Sequence, residues 1–396
     1  MPKRESLLFS PYALRGVSFR NRIVLSPMQM YLAGSDGIAT EWHFQHLAKY
    51  AVAGAGCVFT EVLPPEARGR NTHWDLGIWD DSQIPALTRI AKFIEEAGAV
   101  AAAQIGHAGT KAARQRPFDG LQPLGDEDVA RGEPPWQPVG PMDEAHVEGY
   151  HPPHALSSCE IHQLVDDFGK GVARLARSGF RFLEVHAAHG YLIHSFYSPI
   201  SNQRTDTYGG DRSRRMRFAL EVAESVRTNW PAEFPLSFRI SSIDAVEGGW
   251  DLEDSLVLVR ELKARGVDIV DCSSRGVGAA NSLARLENEG KSVEEGYQVA
   301  YSEYLRREVP IPTIAVGLIT RAEFAEKIRW VCGSLKEELE ALIVGCKIFT
   351  MNNLWVSPAS IVNMAAWPAL VLGTVVMPKT SMATPTWVKA VSRDEW

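Results

Sequence analysis

Residues 157–190 read SSCEIHQLVDDFGKGVARLARSGFRFLEVHAAHG, and this stretch contains a complete helix–strand unit. Ser157, with Glu160 three residues on, makes a capping box that satisfies free N–H groups at a helix start. Ile161, Leu164, Val165, Phe168, Val172 and Leu175 then recur at helical spacing and form one apolar stripe. Gly179 stops the helix, and Phe182–His186 follows as a short apolar run with the character of a buried parallel strand.

Outward from there the same unit repeats. Leu256, Val259 and Leu262 form a stripe that ends at Gly266, just before the run Val267–Ser273. Further strands are expected at Ile23–Ser26, Cys57–Glu61, Val100–Ile105, Leu236–Ile240, Thr313–Val316 and Leu342–Val344. Strand and helix alternating eight times specify an α/β chain with a parallel sheet, and eight repeats suggest closure into a (β/α)8 TIM barrel. A doubly wound sheet uses the same alternation, but no G-x-G-x-x-G follows the first strand. The expectation is one barrel domain over residues 1–396.

Two stretches lie outside the repeat. Leu8–Arg20 carries short alternating runs broken by Pro11 and Gly16, and is expected to form a hairpin closing the barrel bottom. Residues 115–154, after the third strand, are rich in Pro, Gly and Asp; a loop this long is usually functional, and a lid over the barrel mouth is expected. The last residues, 355–396, include the apolar run Ile361–Met377, interrupted by Pro368 and Gly373 and too short to span a bilayer. They read as a tail packed on the barrel or on a neighbouring subunit of a homo-oligomer.

A net charge of −7 over 396 residues offers no basic stripe for nucleic acid. Five cysteines, odd in number and without a C-x-x-C pair, fit a reducing cytoplasm better than a disulfide framework. Met1–Ser6 is charged with no apolar segment behind it, so neither a signal peptide nor a membrane partner is read.

Barrel chemistry sits at the carboxyl ends of the strands. Those ends read Pro27–Gln29, Thr60, Gln104, His186, Arg239, Ser273–Ser274, Gly317 and Gly345. Glycines late in that order suit a phosphate, and the polar residues in the middle suit a flat polar head; many phosphorylated ligands meet the same description. The sharpest constellation is His186-Ala-Ala-His189-Gly190-Tyr191. Two imidazoles can hold an oxygen as negative charge develops on it, and a phenol beside them can deliver a proton. A His–Tyr pair is more often structural, and H-x-x-H also occurs in metal sites. A metal site wants further clustered ligands, however, and a Schiff-base aldolase wants a strand-end lysine, whereas Lys111 and Lys347 fall past the ends. Trp42, His43 and His46, on an expected helix, read as packing residues.

The segment 186–217, HAAHGYLIHSFYSPISNQRTDTYGGDRSRRMR, resembles the signature of the Old Yellow Enzyme family. Asn21-Arg22 with Ser26-Pro27-Met28, Trp42-His43 with His46, QIGHAGTKA around Gln104, and Phe238-Arg239 extend the resemblance over Leu8–Leu354. Among its branches, the bacterial xenobiotic reductases and thermostable ene-reductases are the most similar. The resemblance implies FMN as cofactor and NADPH or NADH as reductant, with an α,β-unsaturated carbonyl compound reduced at its C=C bond. It further implies His186 and His189 as donors to the substrate oxygen and Tyr191 as proton donor to Cα. Gln104 and Arg239 would meet the flavin pyrimidine edge, Pro27, Met28 and Thr60 would line the flavin, and Tyr31 would face the substrate.

Three departures from that branch stand out. Gln29 replaces a cysteine beside the flavin, and its amide is expected to bond flavin or substrate. After the last strand Gly345 is followed by Cys346 and Lys347 in place of an arginine, so Lys347 or Arg275 is left to meet the FMN phosphate as a point charge. The lid around Pro138–Met142 also differs from the branch pattern. Alternative readings are a flavoenzyme oxidising or isomerising one specific substrate, a flavin-free phosphate-binding lyase or metal hydrolase, and a catalytically silent barrel.

Overall fold

The chain enters through an antiparallel hairpin, β1 (Tyr12–Leu14) and β2 (Val17–Phe19), turned at Arg15–Gly16 with Arg15 at φ 48°. In the computed structural model, which describes residues 6–145, 149–276, 293–332 and 342–343, eight further strands make one parallel sheet. In chain order the first three are β3 (Val24–Leu25), β4 (Cys57–Leu63) and β5 (Val100–Ile105). After β6 (Val139–Gly140) and β7 (His154–Ala155), which pair with each other, come β8 (Phe182–Ala187), β9 (Leu236–Ser241), β10 (Ile269–Ser273), β11 (Thr313–Ala315) and β12 (Leu342–Ile343). Every neighbour in the sheet is the next barrel strand in sequence. A doubly wound sheet reverses its order at a switch point; this one never reverses, which is the winding of a (β/α)8 barrel.

Alternation within each strand decides what the barrel holds. Leu183 and Val185 of β8, Phe238 and Ile240 of β9, and Val270 and Cys272 of β10 belong to the outer core, packed with the helices. Phe182, Ile269, Val100 and Ala102 turn inward and pack with Tyr12, Val17 and Phe19 of the hairpin, so the hairpin plugs the amino-terminal end, as expected. The remaining inward positions, further along the strands, are polar: Gln104, Glu184, His186, Ser237, Arg239, Asp271 and Ser273. The barrel is therefore apolar at its plugged end and polar at its carboxyl end.

The helix of the opening motif runs Ser158–Arg177. Its box is closed by Ser157 N–H donating to Glu160 at 2.8 Å and Glu160 N–H donating to the Ser157 hydroxyl at 3.4 Å. Ile161, Leu164, Phe168, Val172 and Leu175 are fully buried along it. At roughly 2 kcal/mol for each such side chain, this stripe contributes on the order of 10 kcal/mol before entropy is counted. The insertion at residues 115–154 is tied down by the β6–β7 pair and by Arg204, which donates to the carbonyls of Pro141 at 3.0 Å and Leu156 at 2.7 Å.

The chain divides into two compact units, Met1–Leu354 and Trp355–Trp396. The barrel belongs to the first. The expected tail over 355–396, and Gly345, Cys346 and Lys347, lie outside the described residues. Among the described residues no helix is long and apolar enough to cross a membrane, and no cluster of His, Cys, Asp or Glu could hold a metal.

Candidate active site

β8 delivers His186 at its carboxyl end, and the turn that follows carries His189 and Tyr191 to the same place. The His186 ring stands 5.0 Å from that of His189 and 4.9 Å from that of Tyr191, nearly perpendicular to both. The turn is left-handed at His189, φ 60°, and at Gly190, φ 72°. Only glycine fits at 190, because a Cβ there would lie 2.0 Å from the Gly276 carbonyl. Left-handed backbone at a histidine costs on the order of 1–3 kcal/mol and persists where its surroundings fix it. Here Lys111 donates to the carbonyls of His189 at 2.5 Å and Gly276 at 2.8 Å, and His189 N–H meets the Ser241 hydroxyl at 2.9 Å. Gly190 N–H donates to His194 Nδ1 at 2.7 Å, and His194 Nε2 bonds buried Asp244 at 2.8 Å. Asp244 also receives the Ser198 hydroxyl and the Trp250 N–H, so one carboxylate fastens both sides of the turn.

The hydrogen bonds also assign protons. Ala188 N–H donates to His186 Nδ1 at 3.3 Å, leaving the proton of a neutral ring on Nε2. Burial, with the Arg239 charge beside it, pushes the His186 pKa well down, so the ring is neutral near pH 7. On His189, Nε2 lies 2.6 Å from the Ser273 hydroxyl, which itself receives Gln298 Nε2 at 3.1 Å. With one lone pair filled by Gln298, the Ser273 hydroxyl still has both a proton to give and a lone pair to offer His189 Nε2, so the His189 ring can carry its proton on either nitrogen. His186 Nε2 and His189 Nδ1 face each other at 3.3 Å. At that distance the His186 N–H donates to His189 Nδ1, with the His189 proton on Nε2 against Ser273; an acceptor oxygen placed between the rings would draw an N–H from each once that proton moves to Nδ1.

Below the histidines the barrel interior is a buried polar network. Gln104 Nε2 donates to Glu184 at 2.8 Å and the Ser237 hydroxyl donates to the other Glu184 oxygen at 2.9 Å. Arg239 lies 3.6 Å from Asp271 and donates to the Ser26 hydroxyl at 3.4 Å. Burial and the Asp271 charge raise the Glu184 pKa to about 8, and burial raises that of Asp271 to about 6. One cation faces two carboxyls, so one carboxyl keeps its proton near neutrality.

Arg239 Nε and the Ser274 hydroxyl are buried without a hydrogen-bond partner among the described residues. Orphaned donors at the open end of the barrel call for an acceptor-rich ligand. A flat, acceptor-rich ligand such as a flavin fits that donor set, and half-buried Pro27 and Met28 offer it an apolar wall. Gly317, past the end of β11, sits at φ 116°, a left-handed backbone that favours glycine, with a Cβ there coming within 3.1 Å of Gln298 N.

Two expected contacts are placed differently. Thr60 is wholly buried and donates to the Glu61 carbonyl at 2.8 Å, because a bulge between Phe59 and Val62 turns it into the wall. Both ends of the Gln29 amide are taken by the protein: its oxygen receives Val62 N–H at 3.1 Å and its nitrogen donates to Asp75 at 3.0 Å. His43 bonds Glu61 at 3.0 Å in the core, in keeping with a packing role.

A wall that the sequence did not single out faces Tyr191 from the loops after β4 and β5. The side chains of Asn71 and Arg114 stand beside the Tyr191 phenol, where their N–H groups favour its ionised form. Asp75 anchors Asn71, Thr72 and Gln29. Tyr31 joins the wall at φ 58°, its hydroxyl pKa raised by burial. The legible signal was Asn71-Thr72-x-x-Asp75, side chains that bond their own backbone in turns.

Comparisons with known proteins bear on this geometry. A profile of the NADH:flavin oxidoreductase / NADH oxidase family matches residues 7–331. An NADPH dehydrogenase of Listeria monocytogenes serotype 4a is 38% identical over 341 residues, covering 86% of this chain and 90% of that one. An NADPH dehydrogenase of Geobacillus thermodenitrificans is 37% identical over 325 residues, 82% of this chain and 86% of that one. The same fold occurs in a morphinone reductase, with a TM-score of 0.65, 23% identity and 87% of each chain covered. It occurs again in an Old Yellow Enzyme homologue from Zymomonas mobilis, with a TM-score of 0.64, 24% identity, and 81% of this chain and 84% of that one covered.

Proposed function

This chain belongs to the NADH:flavin oxidoreductase / NADH oxidase family, the Old Yellow Enzyme group, and from that membership we propose that it reduces the activated C=C bond of α,β-unsaturated carbonyl compounds. It is an FMN enzyme supplied with electrons by NAD(P)H. The chemistry a bound FMN would supply is hydride transfer, from the nicotinamide to the substrate Cβ. Family membership sets aside the flavin-free lyase and metal-hydrolase readings. Gln104, Arg239, Pro27, Met28 and Gly317 are the residues we assign to holding the flavin, and small acceptors in the cytoplasm are the proposed substrates.

The observation that carries the reading is the pair of imidazole rings brought together beside the Tyr191 phenol. His186 and His189 receive the substrate carbonyl oxygen and gain strength as it becomes negative, which is where catalysis is bought. The phenol then gives its proton to Cα, and the N–H donors of Asn71 and Arg114 stabilise the oxygen left behind. Stopped-flow spectroscopy of the two half-reactions tests these roles. Tyr191→Phe is expected to leave flavin reduction by NAD(P)H nearly intact and to slow reoxidation by an enone about 10²–10⁴-fold. His189→Ala is expected to slow the same step and also to weaken phenol binding. Equal enone reoxidation in Tyr191→Phe and wild type removes Tyr191 as the acid.

A further inference from the structure

Arg114 stands behind the phenol of Tyr191, in the loop that leaves β5. Its N–H donates to the Asn71 carbonyl at 2.9 Å, and its guanidinium donates to Asn71 Oδ1 at 3.1 Å and stands beside the Tyr191 hydroxyl. Its Nε is buried with no hydrogen-bond partner among the described residues. Nor does any described carboxylate lie within ion-pair distance of it, which is unusual for a cation so enclosed.

The nearest acid, Asp75, is already committed. It receives Asn71 N–H at 2.7 Å, Asn71 Nδ2 at 3.1 Å, Gln29 Nε2 at 3.0 Å, Thr72 N–H at 3.2 Å and the Thr72 hydroxyl at 2.7 Å. Five donors saturate that carboxylate and leave Arg114 without a dedicated counter-ion. Around the guanidinium stand the phenols of Tyr31 and Tyr191 and a second cation, Lys111. The backbone is left-handed at Tyr31, φ 58°, at Ala113 next to the arginine, φ 59°, and at His189, φ 60°. Backbone strain of this kind gathers where side chains are held for a ligand.

We propose that Arg114 is an anion subsite of the acceptor pocket, and that the acceptor this enzyme is built for carries a carboxylate besides the carbonyl received by the imidazole pair. The inference rests on the function proposed above. The guanidinium is one phenol away from His186, whose ring centroid is 4.9 Å from that of Tyr191. A small acceptor with its carbonyl on the histidines would therefore set its carboxylate against the Arg114 guanidinium beside the phenol. A guanidinium receives a carboxylate through two N–H groups, whereas a neutral amide has only one oxygen to offer.

The test is calorimetric titration of the FMN-loaded protein with 4-hydroxybenzoate and 4-hydroxybenzamide, which share the phenol and differ in the charge at the far end. Wild type is expected to bind the acid at least about tenfold more tightly, some 1.4 kcal/mol. Arg114→Gln is expected to bring the ratio to about one, and Arg114→Lys to lower it while keeping it above one. Equal affinities in wild type, or a ratio untouched by either substitution, overturn the proposal. Should Arg114→Gln fail to fold, the wild-type and lysine ratios still decide. Turnover of 2-cyclohexenone by wild type separates the two readings. If the enone is reduced but no charge preference exists, only the subsite falls; if the preference exists but no enone is reduced, only the proposed reaction falls.

Discussion

Replacing Glu184 by glutamine examines the electrostatics under the flavin site. The carboxyl is wholly buried, bonded to Gln104 and Ser237, and shares the interior with Asp271 and the single cation Arg239. Its pKa stands at about 8 against an ordinary 4.5, from burial first and the Asp271 charge second. The native state thus binds this proton more tightly than the unfolded chain does. The resulting stability is fully present below pH 4.5 and is lost as pH rises through 8. Each pH unit in that window is worth about 1.4 kcal/mol, so the ceiling is ~5 kcal/mol. Glutamine copies the protonated shape and cannot ionise, so Glu184→Gln escapes the loss. Urea unfolding of both proteins at a fixed excess of FMN, from pH 5 to 9, reads the difference. The variant is expected to gain on wild type steadily above pH 5, by a few kcal/mol at pH 8.5. A difference that stays flat with pH would show Glu184 ionised throughout and refute the one-proton account. A neutral Glu184 leaves Asp271 as the ionised partner of Arg239.

Arg239→Ala removes the cation paired with Asp271 and is expected to weaken FMN binding at least tenfold or to lower the flavin potential; equilibrium dialysis and a potentiometric titration read the two effects. Gln29→Ala leaves the Val62 N–H without its partner and strips one donor from Asp75, for an expected loss of about 1–3 kcal/mol in urea unfolding. Arg204→Ala frees the carbonyls of Pro141 and Leu156, and is expected to speed proteolytic cleavage within residues 141–156 several-fold while the remainder of the barrel resists.

Fold and site differ in how far they can be read from the sequence. All eight barrel strands were marked by apolar runs, and β5 matches its expected bounds, Val100–Ile105, residue for residue. The ends of others moved by one or two residues, as for β4, which runs on to Leu63 because a bulge inserts a residue after Phe59. Glu184 and Asp271 sit inside such runs and were passed over, although period-two alternation aims them at the barrel axis beside Arg239. His186, His189 and Tyr191 were legible because one tight turn unites them. Asn71, Asp75 and Arg114 were not, because they meet Tyr191 from loops after two other strands, and no local periodicity records such a meeting. The signature itself mixes roles: Asn202 bonds the carbonyls of Phe196 and Tyr208, and Arg204 fastens the insertion, so much of it is scaffold for the histidine turn.

The central claim is that this barrel holds FMN and spends its electrons on an enone. The direct measurement is anaerobic: NADPH or NADH is added to the purified, FMN-loaded protein until its visible absorbance bleaches, and 2-cyclohexenone follows. The account predicts that the oxidised flavin spectrum returns at once, with one equivalent of cyclohexanone formed for each flavin. A protein that stays colourless after incubation with excess FMN, or a bleached flavin that regains its colour only when oxygen is admitted, would contradict it.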